Sequence, residues 1–172
     1  MTHGNITNPP YFDVTLPLTG TRGVECRTSA LLGAGAYTLV FTFVNNVTSC
    51  GVANTSGGSV SNTPSVPNGN QCTVNLTGVS NAQYITVTLT GVVDSECNAG
   101  DVSSTMGVLI GDTNGDGVVN SADITQTRRQ SGNVVAPDGS NFREDVTTDG
   151  VINSADITLV RRQSGTALPT PP

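Results

Sequence analysis

Lysine and tryptophan are missing from this sequence, and histidine occurs once, as His3 in a polar N-terminal stretch. With no Lys and no Ser/His or Cys/His pairing, nucleophilic catalysis has no visible machinery. Charged residues make up 12% of the chain, about half the usual share. Glycoside hydrolysis would need two carboxylates from Asp13, Glu25, Asp94, Glu96 or Asp101. Three of these, Asp94, Glu96 and Asp101, cluster near Cys97 and read as a solvated or cation-binding turn. The expectation is a protein that is not an enzyme. Seven Arg and no Lys leave no basic patch for nucleic acid. No apolar run is long enough for a membrane span, and no signal-peptide core follows Met1, so secretion would require a signal removed or lying upstream. Aromatic residues are 4%. A sugar-binding platform needs exposed rings. Phe12, Phe41 and Phe43 have core parity, which leaves only Tyr11 and Tyr37 expected outward.

What the chain does contain is β-branched. Thr (25) and Val (22) far outnumber Leu (10), and such side chains fit a pleated sheet. Residues 11–18 alternate, with Phe12, Val14, Leu16 and Leu18 on one apolar face; Pro17 makes this an edge strand or its end. Residues 20–23 break the pattern. Residues 37–44 alternate with Leu39, Phe41 and Phe43 inward, and an irregular strand is expected near residues 59–61. Residues 72–77 and 84–90 alternate across a short turn and read as a hairpin, and residues 102–110 give another strand. The pattern predicts a mainly β, immunoglobulin-like sandwich. Cys26, Cys50, Cys72 and Cys97 all precede residue 98 and show no zinc-type spacing. An even count favours an oxidising setting. Of three possible connectivities, Cys50–Cys72, at the ends of two candidate strands, with Cys26–Cys97 is the expected one. Sequons begin at Asn5, Asn46, Asn54 and Asn75, so a glycan is possible if the host attaches one.

The C-terminal region is different. Residues 112–123 and 145–156 are two acidic loops of twelve residues, 33 apart. Side chains that bear oxygen stand at loop positions 1, 3, 5, 9 and 12, and Gly stands at position 6. That is EF-hand spacing, in which position 7 supplies a backbone carbonyl. A ring of Asp and Asn without His or Cys suits calcium better than zinc. The flanks repeat as well: residues 120–125 recur as 153–158, and 128–132 as 161–165, which marks an internal duplication. Helices are predicted over 121–131 and 154–164, with Gly132 and Gly165 at their C-terminal ends. Phe142, Ile124, Ile157 and Val160 are the expected core between them.

These loops end in Asp, carry Asn at position 9, precede one helix each and are duplicated once. In this they resemble the type I dockerin, over residues 111–168. The resemblance implies a small α module of paired EF-hand-like loop–helix units that binds calcium and docks to cohesin-type proteins. Carried over by position, the first site would use Asp112, Asn114, Asp116, the carbonyl of Val118, Asn120 and Asp123. The second would use Asp145, Thr147, Asp149, the carbonyl of Val151, Asn153 and Asp156. Thr147 departs from the family's usual Asn or Asp, so the second of two calcium ions is expected to be held more weakly. Positions 10 and 11, Ser121-Ala122 and Ser154-Ala155, would contact a cohesin, with Arg128, Arg129, Arg161 and Arg162 extending the surface.

The expected organisation is an N-terminal arm (1–19), a sandwich (20–110), the calcium module (111–168) joined without a flexible linker, and a Pro-rich tail (169–172). The expected role is extracellular, non-catalytic assembly. In one form, copies of the chain join into a fibre by adding the arm Phe12, Val14, Leu16 and Leu18 to a neighbour's sheet. In the other, the chain is the C-terminal part of a carbohydrate-active enzyme and docks it to a cohesin scaffold.

Overall fold

The computed structural model describes residues 2–4 (backbone only), 12–17, 22–28, 35–61 and 67–171. Ten strands come first: β1 Thr2–Gly4, β2 Asp13–Thr15, β3 Val24–Glu25, β4 Tyr37–Thr42, β5 Val47–Ser49, β6 Val52–Thr55, β7 Ser59–Val60, β8 Gln71–Thr77, β9 Gln83–Asp94 and β10 Ala99–Val108. They form two sheets, ordered β2-β1-β4-β8-β7 and β3-β10-β9-β5, with β6 also on β9. All pairings are antiparallel except β3 on β10, where Val24 lies opposite Gly107. Period-two alternation turns Tyr37, Leu39 and Phe41 of β4 and Val74 and Leu76 of β8 toward Ile85, Val87 and Leu89 of β9 and Met106 of β10. One core therefore fills the space between the sheets. Cys50 and Cys72, both buried, are joined by a disulfide at its margin.

Several expectations change at this level. Tyr37 shares the parity of Leu39 and is buried, not outward. Strands β8 and β9 are not a hairpin: each presents an apolar face to the same core, but from opposite sheets. Alternation reports a buried face and says nothing of which strand is the hydrogen-bonded neighbour. The described part of the arm is paired within the chain. Strand β2 pairs with β1, and β1 with β4, while Val14 and Leu16 lie in the chain's own core. That covers the apolar face on which addition to a neighbour's sheet was premised. Phe12 stacks instead on Phe142 at 5.4 Å between ring centroids, and Leu18 lies outside the described residues. The expected Cys26–Cys97 bond is absent. Cys26 is a buried free thiol beside the C-terminal module, and Cys97 is an exposed one in the β9–β10 turn.

The chain leaves β10 without a linker. Leu109 joins Val24, Val119, Val146 and Val160 in a second core, against which Ile124, Leu159, Leu168 and Ala82 also pack. This core is shared between sheet edge and helices. The helices are α1 Ser121–Gln130 and α2 Ser154–Gln163, with a 3-10 turn at Phe142–Glu144. Phe142 does not pack between the helices as expected. It sits against the β core, stacked on Phe12 and under the Arg27 guanidinium at 4.7 Å. Ile157 is half-buried and joins neither core. Among the described residues, no helix is long and apolar enough to cross a membrane.

Candidate metal centre and docking face

Each loop is a turn organised by its first and last carboxylates. Asp112 Oδ1 accepts from the N–H groups of Gly115 (2.8 Å) and Asp116 (3.2 Å), and Oδ2 from that of Gly117 (3.0 Å). Asp123 Oδ1 accepts from Asn114 N (3.2 Å) and Oδ2 from Asn120 N (2.8 Å). The second loop repeats this. Asp145 accepts from Asp149 and Gly150, and Asp156 from Thr147 and Asn153. Position 6 has φ +85° at Gly117 and +89° at Gly150, the left-handed backbone that only Gly takes without strain. Position 4 is also left-handed, at Gly115 and, less comfortably, at Thr148.

The helices start where the loops end. Asn120 and Asn153 at position 9 accept from the N–H groups of Ala122 and Ala155, and form capping boxes with Asp123 and Asp156 at position 12. One carboxylate therefore closes the loop, caps the helix and stands in the ligand position. The helices finish before Gly132 and Gly165, at φ +95° and +94°. The chain then crosses over. Val134 pairs with Val151 of the second loop, and Ala167 with Val118 of the first. The segment after each helix thus holds the other repeat's loop, as a pseudo-twofold duplication requires.

Asp112, Asp123 and Asp156 are fully buried and Asp145 nearly so. Burial lifts the Asp112 carboxyl above its ordinary range, against the pull of Gly117, Gly115 and Arg143. Burial lifts Asp145 too, and the neighbouring charge of Asp156 adds to it. Buried carboxylates held close together without a bonded cationic side chain are the environment that a hard cation relieves. The third carboxylate of each loop, Asp116 or Asp149, is exposed and bonds the N–H of Val118 or Val151. Among the described residues, no three His, Cys, Asp or Glu converge into a ready-made cluster. In each loop the acids bond backbone N–H groups, and the Asn and carbonyl oxygens complete the donor set. That all-oxygen set fits calcium.

The second loop has a handicap. The Thr147 hydroxyl donates to Asp156 Oδ1 at 2.8 Å, so it occupies a carboxylate oxygen at position 12 and adds no charge of its own.

Ser121, Ala122, Arg128 and Arg129 are exposed, as are Ser154, Ala155, Arg161 and Arg162. The two sets occupy equivalent positions on α1 and α2. The acidic β9–β10 turn is a local hydrogen-bonded structure. Asp94 accepts from Asn98, Asn45 and Glu96, bonds that hold its carboxyl down at about 2. Of the sequons, Asn46 and Asn54 are exposed, Asn75 is half-buried and accepts from Thr38, and Asn5 lies outside the described residues.

Sequence reasoning missed the residues that hold this module to the sheets. Arg143 donates from Nε to Thr113 O (2.8 Å), from Nη2 to Asp112 O (2.7 Å) and from Nη1 to Val24 O (3.0 Å). Thr28 N donates to Val146 O, and Gly111 N to Cys26 O. Glu25 and Arg27 form a buried ion pair at 2.8 Å. The one available signal was Arg143 itself, a lone cation placed between the duplicated units.

Residues 110–164 match the family model of the dockerin type I domain. The match takes in both loops and both helices, so the C-terminal part is a type I dockerin module, with the calcium-dependent protein–protein docking that such a module carries out. No curated protein and no solved structure matches the chain.

Proposed function

We propose that this chain is a non-catalytic, extracellular docking protein. Its calcium-loaded dockerin presents Ser121, Ala122, Arg128 and Arg129, or their equivalents Ser154, Ala155, Arg161 and Arg162, to a cohesin-type receptor. Its immunoglobulin-like sandwich is the rigid body so anchored. The units are a sandwich over residues 20–110, to which the arm 1–19 belongs, a dockerin over 111–168 and a tail over 169–172. One ion occupies each loop, held by Asp112, Asn114, Asp116, Val118 O, Asn120 and Asp123 in the first. Asp145, Thr147, Asp149, Val151 O, Asn153 and Asp156 hold the weaker one in the second.

The observation that carries this reading is the pairing of two exposed Ser-Ala steps with two buried, helix-capping carboxylates one position beyond them. Calcium at position 12 fixes the first turn of each helix, and with it the contact surface. The disulfide favours an oxidising compartment. Docking of a larger enzyme by this C-terminal part uses the same surface and is the same reading on a longer chain. Fibre formation through the arm is the weaker alternative, because Val14 and Leu16 are already buried in cis. A panel of cohesin domains immobilised and probed with the chain tests the proposal. Binding should need calcium and disappear with chelator and in the quadruple variant Ser121→Asp, Ala122→Asp, Ser154→Asp, Ala155→Asp. Association of the chain with itself, and with no cohesin, would replace this reading with the fibre.

A further inference from the structure

The two calcium loops, with the residues just before each, hold one short segment of the sandwich at Val24, Cys26 and Thr28. Residues 24–28 comprise β3 and the irregular segment that follows it. From the first loop, the carbonyls of Asp112 and Thr113 reach Val24 O through the single guanidinium of Arg143, while Gly111 N, one residue before that loop, bonds Cys26 O. From the second loop, Val146 O accepts Thr28 N, and the carbonyl of Arg143, two residues before that loop, accepts the Cys26 thiol at 3.5 Å. The gripped backbone carbonyls belong to positions 1 and 2 of the first loop and position 2 of the second. Beside this, Phe142 is held between the Phe12 ring and the Arg27 guanidinium, and Arg27 is locked by Glu25.

We infer that Arg143 is a positioning residue that makes calcium occupancy and sandwich stability one equilibrium. Ordering a loop around its ion fixes the carbonyls at its start, and a planar guanidinium with rigid donor directions transmits that order to β3. A ligand that binds only the ordered loop then stabilises whatever the ordered loop holds. The sandwich is therefore a reader of calcium, and not an inert passenger. This rests on the reading of the loops as calcium sites.

The chain carries its own reporters. All three tyrosines, Tyr11, Tyr37 and Tyr84, precede the module, and there is no Trp. Tyrosine fluorescence thus follows the sandwich, while circular dichroism at the helical minimum follows α1 and α2. Thermal unfolding of the full chain is recorded by both, with excess chelator and with saturating calcium. In the wild type, calcium should raise both transitions. In Arg143→Met the helical transition should still rise, while the rise of the tyrosine transition falls to about half or less. Arg143→Lys, which keeps the charge and loses the fork, carries the same expectation should the Met variant fail to fold. A wild-type tyrosine transition indifferent to calcium, or one raised equally in both Arg143 variants, overturns the coupling while leaving the calcium sites standing. A helical transition indifferent to calcium overturns both.

Discussion

Thr148 sits at odds with its surroundings. It has φ +56° where the equivalent position of the first loop is Gly115, and its hydroxyl is buried without a hydrogen-bond partner among the described residues. A β-branched residue in left-handed backbone is strained, and the orphaned hydroxyl adds a desolvation cost. Thr148→Gly should therefore stabilise the module by about 1 kcal/mol, seen as a higher denaturant midpoint of the helical signal in saturating calcium; a lower midpoint would contradict this. The two free thiols differ as sharply. Cys97 is exposed, whereas burial pushes Cys26 up to about 12. A maleimide should label Cys97 in the native chain and reach Cys26 only after unfolding, and non-reducing peptide maps should show Cys50 joined to Cys72. At this scale the loop residues were legible in the sequence, because a chelating turn repeats its side-chain types at set intervals. Tyr37 and Cys26 were not, because burial of one residue depends on which segments fold over it.

At the scale of elements, the two loops are near-copies with unequal chemistry. Thr147 donates its hydroxyl to Asp156, so Thr147→Asp should tighten the second site about tenfold by adding ligand charge, and Asp112→Ala should cost more affinity than Thr147→Ala. Calcium titration calorimetry separates these, and equal losses would refute the ranking. The module should also respond to pH in a way that depends on metal. Burial raises Asp112 and Asp145 in the metal-free fold, so the folded state takes up protons before the unfolded chain does. Chelated protein should then gain helical stability as pH falls from 7 toward the raised titrations, and lose it as pH rises. With calcium bound the slope should reverse, since protons compete with the ion. Parallel slopes in the two conditions would contradict this account. The helices were legible almost to the residue, because caps, ligands and Gly132 or Gly165 mark both ends. The placement of β8 and β9 in opposite sheets was not, because alternation is blind to which sheet a strand joins.

For the whole molecule, the absence of a linker between residues 108 and 112 was legible, but what replaces the linker was not. Arg143, Phe142, Phe12 and the Glu25–Arg27 pair come from segments far apart in sequence, and no periodicity connects them. The described part of the arm, with Val14 and Leu16 in the core, belongs to this integrated body. Leu16→Ala should lower stability by about 3 kcal/mol in dilute solution and independently of concentration, as a core truncation does; an effect that appears only in assemblies would restore the fibre.

Direct titration tests whether the C-terminal module is a calcium-built docking unit. Calcium is added to the chelated, desalted full chain while heat and helical circular dichroism are recorded together. One ion should bind per loop, the first more tightly than the second, with the helical signal growing in step with occupancy. No uptake at millimolar calcium, or full helicity in excess chelator that calcium leaves unchanged, would contradict it.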